Sequence, residues 1–512
     1  MVTRQQKTRL CQLSADPLTK INRNPELKNP TPIHITSMKS FPPLLLFTAL
    51  SLTCIVRLQA DDANWAQWRG PDFNGTAPGA NPPTEWSETS NIKWKIKPPG
   101  RGLSTPIIWG DSIFIQTAIG TGKKVEPAAV PEAEAKPPET KPPDAPPAGE
   151  QPNPEGRRNR PGSGGGGGGG IGRGEKPTEV QQFVLLCLDR ATGSEKWRKV
   201  ASEVLPHEGH HQDHGYASHS PVTDGEHVYA WFGSRGLYCY DMKGGLVWSK
   251  QFGKMKTRAG FGEGSSPALH GDTIIINWDH EEDDDFIVAL DKKTGKERWK
   301  QKRDEASSWT TPLVVTHEGK TQVVVNGAKR IRSYDFADGK LIWECGGMTQ
   351  NVIPTPVSAN GLLYATSGFR GASLMAIKLG QTGDLTDKAD AIAWKHDKRT
   401  PYVPSPLLYG DKLYFFAGND ATLSCFDAKT GEPMLDAQRL EGLNGIYASP
   451  AGAADRVYIP SRNGVTMVLK NTGKLDILAT NKVDDGFDSS PAIEGQEIFL
   501  RGRENLYCIA EK

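Results

Sequence analysis

A serine or threonine followed directly by proline marks each of eight repeats along this chain, and this repeat constrains the fold more than any other feature. The eight pairs are Thr105-Pro106, Ser220-Pro221, Ser266-Pro267, Thr311-Pro312, Thr355-Pro356, Ser405-Pro406, Ser449-Pro450 and Ser490-Pro491. From the second pair onward, consecutive prolines are 41 to 50 residues apart. Repeats of this length are typical of propeller blades or stacked arrays, in which each unit packs mainly on its neighbours.

The content of one repeat predicts four short antiparallel strands. In the third unit the turn pair Gly271-Asp272 precedes two apolar runs, 273–278 and 286–290, and a turn at 291–295 leads to a last strand, 296–299. The Asp that opens this turn can bond loop amides, and the Gly that ends it supplies a positive φ. Tryptophan ends the first five units and is expected to fill the wedge between blades. These residues are Trp197, Trp248, Trp299, Trp343 and Trp394.

The eighth repeat lacks a fourth strand, and the missing strand is found near the other end of the propeller. Segment 91–95, which precedes the first Thr-Pro pair, contains Trp94 and has the character of an outermost strand. Pairing it with the last repeat would remove two exposed sheet edges. We therefore predict an all-β fold over residues 91–512: an eight-bladed propeller of four-stranded antiparallel blades. It is closed by pairing the strand near Trp94 with the C-terminal blade, and an N-terminal extension, 61–90, precedes it.

One segment of the first repeat is predicted to be an insert rather than part of a blade. Residues 121–180 contain 12 Pro and 13 Gly, including an unbroken run of seven Gly from 164 to 170. Such a composition cannot bury enough apolar surface to offset the entropy of ordering. We expect a disordered Pro/Gly-rich insert between two strands of the first blade.

The start of the sequence predicts export. From Met38 a short basic region leads into an apolar stretch and then to Ala60, which is the pattern of a secretory signal peptide over residues 38–60. Residues 1–37 would bury that signal, so we interpret them as a non-native leader created by a misassigned start. The expected location is the periplasm or cell envelope, with no transmembrane segment in the mature chain.

Charge and cysteine usage narrow the function classes. Lys plus Arg is 61 and Asp plus Glu is 60, so nothing favours a nucleic-acid partner. Four of the cysteines, Cys187, Cys239, Cys425 and Cys508, stand at equivalent points of separate repeats. Equivalent positions in separate units favour core packing over a disulfide framework.

Two segments carry a family resemblance. Residues 186–197, Leu-Cys-Leu-Asp-Arg-Ala-Thr-Gly-Ser-Glu-Lys-Trp, and 289–299, Ala-Leu-Asp-Lys-Lys-Thr-Gly-Lys-Glu-Arg-Trp, resemble the repeats of pyrroloquinoline quinone-like propellers. That family includes quinone-dependent alcohol dehydrogenases and the propeller lipoprotein of the outer-membrane barrel-assembly machinery. The resemblance implies the propeller fold, but it leaves cofactor enzymes and cofactor-free scaffolds both open.

Residues just before each Ser/Thr-Pro pair are candidates for a shared binding site, because in a propeller these segments converge at one mouth of the central channel. The candidate ligand-binding residues are Arg101, Tyr216, Glu263, Trp309, Asn351, Tyr402, Tyr447 and Asp488. This polar and aromatic set could stack on a flat ligand and counter its carboxylates. The alternative is that eight such loops would supply similar residues in any propeller.

Because of this resemblance, the sequence can be checked for the residues that bind the quinone cofactor in enzymes of the family. Quinone enzymes of the family carry adjacent cysteines and a calcium ion held by Glu, Asn and Asp. Here no two cysteines are adjacent, and Glu263, Asn351 and Asp488 match such ligands only by residue type. We therefore expect no cofactor, and keep pyrroloquinoline quinone with Ca²⁺ as the alternative.

A histidine cluster and an acidic run are the remaining candidates for metal binding. Segment 207–211 satisfies the H-E-x-x-H pattern of zinc proteases, but it lies between blades and contains Gly209, where a long helix is not expected. A structural metal site is the open alternative to a polar loop at the channel mouth, with ligands His207, His210, His211 and His214. The acidic run 279–285 lacks the spacing of a calcium loop and is interpreted as a solvated hairpin tip.

Together these features favour an exported, non-catalytic propeller scaffold that binds a protein, a peptide or an envelope polymer; a small-molecule ligand is a further possibility. The alternative is a pyrroloquinoline quinone-dependent dehydrogenase acting on an alcohol or sugar. Binding of quinone and dye reduction would distinguish the two.

Overall fold

The computed structural model describes residues 64–125, 174 and 176–511. The chain divides into two units at Leu58, and every described residue belongs to the second, Gln59–Lys512. The predicted leader and signal peptide lie outside the described residues, as does most of the predicted insert. Among the residues that are described, no helix is long and apolar enough to be a membrane span.

Eight antiparallel sheets form the blades of a propeller, as the repeat predicts. The innermost strands of blades 1 to 8 are Ile107–Trp109, Val222–Thr223, Ala268–His270, Leu313–His317, Val357–Ala359, Leu407–Tyr409, Ala451–Ala453 and Ala492–Glu494. The second strands are Ser112–Lys124, His227–Trp231, Thr273–Trp278, Lys320–Val325, Leu362–Ser367, Lys412–Phe416, Arg456–Pro460 and Glu497–Arg501. The third strands are Glu179–Asp189, Leu237–Asp241, Phe286–Asp291, Ile331–Asp335, Ser373–Lys378, Thr422–Asp427, Val465–Lys470 and Leu506–Ile509. The outermost strands are Glu195–Val204, Leu246–Lys250, Glu297–Lys302, Leu341–Cys345, Ile392–His396, Pro433–Arg439, Ile477–Lys482 and Ile92–Ile96.

A few short elements lie outside this pattern. A two-residue strand, Gly383–Asp384, adds a fifth, parallel strand to blade 4 beside Leu341–Cys345. Three short 3₁₀ helices, Gly233–Arg235, Arg258–Gly260 and Ala389–Ala391, complete the regular structure of the described residues. In blade 1 the second and third strands run past the predicted edges of the insert, because Lys124 pairs with Glu179.

The ring closes through its N-terminal strand, as predicted. Strand Ile92–Ile96 pairs antiparallel with Leu506–Ile509 of blade 8, with Trp94 opposite Cys508 and Ile96 opposite Leu506. Two sheet edges are thereby satisfied by backbone hydrogen bonds. Blade 8 thus combines strands from two distant parts of the sequence.

Hydrogen bonds between blades explain why the residue before each of these prolines is a serine or a threonine. The backbone N–H of the Ser/Thr in one blade donates to the side-chain hydroxyl of the Ser/Thr in the next. Seven such bonds of 2.9–3.1 Å link blades 1 to 8 in order, from Thr105 N to the Ser220 hydroxyl through to Ser449 N and the Ser490 hydroxyl. They satisfy buried amides at the crowded centre of the ring, where an unpaired amide would be costly.

The junction between blades 8 and 1 is built differently. Arg501 is buried in this seam and donates to the carbonyls of Ser104 and Gln116 at 3.2 and 2.8 Å. Burial lowers the pKa of this guanidinium to about 9. Ser489 adds a bond from its hydroxyl to the Leu103 carbonyl at 2.8 Å.

Outer-strand tryptophans join neighbouring blades. The indole N–H of Trp248, for example, donates to the Lys292 carbonyl of the next blade at 3.0 Å, and its ring covers Gly295 there. The same arrangement recurs at Trp94, Trp197, Trp299 and Trp394, each against a carbonyl and a positive-φ Gly of the next blade. The expected packing between blades is therefore found at four of the five predicted tryptophans and also at Trp94.

Trp343 is the exception to this prediction. Its indole N–H donates to the Gln322 side chain of its own blade at 3.0 Å, and the ring is fully buried. The connection between the third and fourth strands of the next blade is longer here, from Lys378 to Ile392, and its Gly383 pairs beside Trp343 as an added strand of blade 4.

Replacing a glycine that lies under a tryptophan ring should lower the free energy of unfolding more than replacing a similarly strained glycine elsewhere. Gly339 has φ of 75°, and an added Cβ would lie 2.5 Å from the Trp299 ring; Gly410 has φ of 64° and no atom within 4 Å of its Cβ position. Gly410→Ala should cost about 1–2 kcal/mol from the left-handed conformation alone. Gly339→Ala should cost about 1–3 kcal/mol more from the clash. Denaturant unfolding of both variants measures the difference, and equal costs would contradict the role assigned to the Trp299 contact.

The N-terminal segment that precedes the propeller reaches its innermost strands. The carbonyls of Trp65 and Ala66 accept the amides of Ile108 and Thr223 in blades 1 and 2, and Gly75 and Ala77 exchange bonds with Gly452 of blade 7. Buried Arg69 donates to the carbonyls of Pro406 and Pro450, both at 2.7 Å. This segment thus ties together blades that are distant in sequence.

The cysteines behave as the repeat predicts. All five cysteines in the described part of the chain are buried and free, and Cys187, Cys239, Cys425 and Cys508 each lie in the third strand of a blade. Burial raises the pKa of these four thiols, to about 11 for Cys187 and about 12 for Cys239 and Cys425. They therefore serve as small apolar core residues.

Candidate functional site

A cavity of about 1200 Å³ opens at one mouth of the central channel. Ser/Thr residues of the central ring line it, among them Thr105, Ser220 and Thr311. Trp68 of the N-terminal segment also lines the cavity. The carbonyls of the nearby Trp65 and Ala66 accept the amides of Ile108 and Thr223. These two residues follow the ring residues Thr105 and Ser220 by three positions, further along the innermost strands. Trp68 therefore approaches from the opposite end of the channel.

Six of the eight residues proposed from sequence lie around this one cavity. They are Arg101, Tyr216, Trp309, Tyr402, Tyr447 and Asp488. The other two do not line it. Glu263 is turned towards blade 2, where its carboxylate accepts bonds from the Ser234 amide and hydroxyl, both at 2.6 Å, and pairs with Arg235 at 3.1 Å. Asn351 is 3% exposed, with φ of 52°.

The aromatic walls of the cavity are held in place by their neighbours. Tyr402 stacks on Phe369 with ring centroids 4.9 Å apart and planes 27° apart. The Trp309 indole donates to the Gly262 carbonyl at 2.7 Å. Such side chains present a large, rigid surface that loses little conformational entropy when a ligand binds.

An ion-pair network spans the mouth of the cavity. Asp213, in the connection between blades 1 and 2, accepts a bond from Arg462 of blade 7 at 2.6 Å and one from the Tyr447 hydroxyl at 3.3 Å. Arg462 also pairs with Asp488 at 2.8 Å, and Arg503 pairs with Asp488 at 2.7 Å. Burial works to raise the pKa of Asp213, but Arg462 lowers it overall. This network holds the connection 205–219 against blades 7 and 8.

The four histidines proposed as metal ligands are engaged separately. The ring nitrogens of His207 and His214 contact the carbonyls of Met255 and Glu263 at 2.6 and 3.1 Å. His210 contacts the carbonyl of His211, whose own Nδ1 accepts the Asp213 amide. In the described part of the chain, no three of these four rings bring ligand atoms together.

The H-E-x-x-H pattern does not form a helical site either. The Glu208 carboxylate accepts the Thr257 amide at 2.9 Å, and burial raises its pKa. Three of the histidines, His210, His211 and His214, instead line the cavity mouth beside Tyr216. His210 packs edge-on against Tyr216 with centroids 4.5 Å apart.

The residues present do not fit a calcium-bound quinone. Of the three candidate calcium ligands, only Asp488 lines the cavity, and Arg462 and Arg503 already neutralise it. Glu263 is held by Ser234 and Arg235.

The sequence did not indicate Phe369, which lines the cavity, or the two arginines that pair with the cavity residue Asp488. Phe369 and Arg462, together with Arg503, lie in the loops between the second and third strands of blades 5, 7 and 8. Those loops share a face with the segments that lead into the innermost strands, so topology alone could have pointed to them. Nothing in the repeat could have indicated Trp68, which belongs to the non-repeating N-terminal segment.

Buried His219, next to the central ring, predicts a loss of stability in acid. It is 2% exposed, its Nδ1 has no hydrogen-bond partner among the described residues, and burial lowers its pKa to about 3. Its stabilising contribution is complete above the unfolded pKa of about 6.5 and is lost as pH falls towards 3. The free energy of unfolding should fall by up to a few kcal/mol more in wild type than in His219→Gln over this window. Parallel slopes of unfolding free energy against pH would refute this assignment.

The family model described as outer membrane protein assembly factor BamB matches residues 181–436, half of the chain. A search of curated proteins returned no match. The crystal structure of BamB from Moraxella catarrhalis is 14% identical with a TM-score of 0.46, covering 64% of this chain and 91% of that one. The computationally designed Ika8 protein is 12% identical with a TM-score of 0.47, covering 66% of this chain and 97% of that one. By the extent of the family match, this chain belongs to the family described as outer membrane protein assembly factor BamB.

Proposed function

We propose that this protein is a binding scaffold of the cell envelope that holds an extended segment of a partner protein at the mouth of its propeller. The description of its family, an outer membrane protein assembly factor, supports both a protein partner and an envelope location. The proposal extends the binding role that a propeller of this family suggests to one defined surface, the cavity mouth.

The size and rigidity of the cavity carry this proposal. Its volume of about 1200 Å³ exceeds the roughly 300–1,000 Å³ of ordinary small-molecule pockets. Its aromatic faces, Trp309 and Tyr402 among them, are held by a hydrogen bond and by stacking. Aromatic anchors that a partner covers on binding dominate the binding energy of protein interfaces.

The charges at the mouth favour a segment that carries a carboxylate. Asp213 and Asp488 are already paired with Arg462. Arg101 is exposed and bonds only weakly to the Gln212 carbonyl, at 3.4 Å, and it forms no ion pair with any residue that the structure describes. Its guanidinium is therefore available to bind a carboxylate of the partner in a bidentate manner.

Site-specific photo-crosslinking in cells tests the proposal. A benzoyl-phenylalanine at position 402 should form an adduct with one envelope protein, whereas the same group at Leu246, which is 59% exposed on an outermost strand, should not. Adding Arg101→Ala should lower the yield at position 402 by about fivefold or more, as expected from the loss of roughly 1 kcal/mol of a charge-assisted bond.

Other outcomes would count against it. Identical adducts from positions 402 and 246, or a yield that Arg101→Ala leaves unchanged, would remove the cavity from partner binding. Reduction of a dye after adding pyrroloquinoline quinone, Ca²⁺ and an alcohol or sugar to the purified protein would support the oxidoreductase alternative instead.

A further inference from the structure

The hairpin tip of blade 3 is more buried than its composition suggests. Segment 279–285 joins the second and third strands and contains six acidic residues and one histidine. Its run of charged residues predicts a solvated hairpin tip. Asp279, His280 and Asp285 are instead only 3%, 1% and 3% exposed.

The fold engages three of the six carboxylates and leaves three others at the surface. Asp279 pairs with buried Arg303, and Glu281 accepts the amide and hydroxyl of Ser307 at 3.1 and 2.8 Å. Asp285 accepts the His280 amide at 2.8 Å. Glu282, Asp283 and Asp284 lie at the surface, where Glu282 has one long ion pair with exposed Lys256, at 3.8 Å, and Asp284 faces His280.

Two of these three carboxylates converge on the buried histidine. Ligand atoms of His280, Glu282 and Asp284 all lie within 4.8 Å of one another. The Glu282 and Asp284 side chains are 57% and 75% exposed, so an ion could reach them from solvent. Asp283, which points from the same tip, does not belong to the group.

The histidine nitrogen that faces these carboxylates makes no hydrogen bond with any described residue. Nε2 of His280 is buried and lies 2.8 Å from Oδ1 of Asp284, without hydrogen-bond geometry. Two ligands bound to one ion at about 2.0–2.1 Å lie roughly 3 Å apart, which is close to this separation. The other ring nitrogen lies 3.5 Å from the Lys256 amide, at the limit of a hydrogen bond, so that contact does not hold the ring in one tautomer.

We infer that His280, Glu282 and Asp284 bind a divalent transition-metal ion. One imidazole and two carboxylates are ligands suited to Zn²⁺ or Mn²⁺. A bound ion would also relieve the mutual repulsion of the surface carboxylates. By fixing the tip it would hold Glu281 against Ser307, two residues before the cavity residue Trp309.

A second cluster of similar composition shows what distinguishes this site. Asp224, Glu226 and His227 also bring three ligand atoms together. There the Lys292 ammonium already lies 2.9 Å from the Asp224 carboxylate and neutralises it. At the blade 3 tip the nearest ammonium, on Lys256, is 3.8 Å from Glu282 and 67% exposed.

Calorimetric titration of the purified protein with ZnCl₂ tests the inference, with the visible absorption of bound Co²⁺ as a second readout. Glu282→Gln and Asp284→Asn alter exposed side chains and should leave folding intact. Each should weaken Zn²⁺ binding about tenfold or more, and the double variant should abolish the Co²⁺ bands. Asp283→Asn, which removes the same charge from the same tip, should weaken binding less than about twofold.

His280→Gln completes the set, after circular dichroism has verified that it folds. It should lower affinity at least as much as either carboxylate variant. Absence of binding heat in the wild type would overturn the inference. So would equal losses in Asp283→Asn and Asp284→Asn, because that result would indicate diffuse attraction to an acidic surface.

Discussion

Asp279→Ala should lower the free energy of unfolding by about 3–5 kcal/mol, because it leaves Arg303 charged and buried without a counter-ion. Both side chains of this pair are fully buried. The Asp279 carboxylate accepts two bonds from the Arg303 guanidinium, at 2.6 and 3.0 Å, and further bonds from Ser308 and Asn277. Burial works to lower the pKa of Arg303, but Asp279 raises it overall. Denaturant-induced unfolding measures the loss.

Two further variants distinguish the effect of leaving a buried charge unpaired from the effect of losing the contact itself. Asp279→Leu with Arg303→Met should recover most of the stability, since a buried ion pair can often be replaced by apolar side chains of similar volume. The surface pair Arg298–Asp291 of the same blade, with side chains 39% and 29% exposed, is the matched control. Arg298→Ala should cost less than about 1 kcal/mol. This account would be contradicted if the double variant lost as much stability as Asp279→Leu and Arg303→Met lose in total when each is made alone.

Trp94→Ala should lower the free energy of unfolding by about 3–5 kcal/mol, the range for removing a large buried aromatic side chain. Trp94 is 9% exposed, donates its indole N–H to the Arg190 carbonyl at 2.9 Å, and packs against Phe499 with ring centroids 6.1 Å apart. It lies in the strand that closes the ring, so its loss weakens the one blade built from both ends of the propeller. The expected signature is faster amide exchange in strand Leu506–Ile509 as well as a lower unfolding midpoint.

Trp394→Ala is the control for ring closure. Trp394 makes the equivalent bond to Ala428 of the next blade at 2.9 Å, but its strand and its neighbours are continuous in sequence. Its loss should destabilise blades 5 and 6 and leave exchange in blade 8 unchanged. If both variants accelerated exchange in the same strands, closure would have no special place in the stability of the ring.

The repeat could predict the fold because its key residues do the same job in every unit. Ser220 and Thr311 accept an amide from the previous blade, and Trp248 and Trp299 bond the next one. A pattern of this kind appears in the sequence as a period. Trp343 departs from it because an added strand, Gly383–Asp384, lies beside it, and no local feature of Trp343 itself announces that strand.

The candidate site was less accessible to sequence reasoning. Positions such as Tyr402 and Tyr447 could be named because they precede an innermost strand and therefore face the mouth. Glu263 occupies an equivalent place, yet Ser234 and Arg235 draw its carboxylate towards blade 2. The partners of a charged side chain decide which way it turns, and those partners lie in other repeats.

The unequal junctions around the central ring have a consequence for how such a molecule can change in size. Each of these hydrogen bonds runs in the same direction, from the amide of one blade to the hydroxyl of the next. An additional repeat placed between two consecutive blades from 1 to 8 would therefore find a donor on one side and an acceptor on the other. The seam held by Arg501 has no such interchangeable connection. Duplication of a repeat is therefore compatible with every junction between blades except this one, where blades 8 and 1 would have to be refitted to each other.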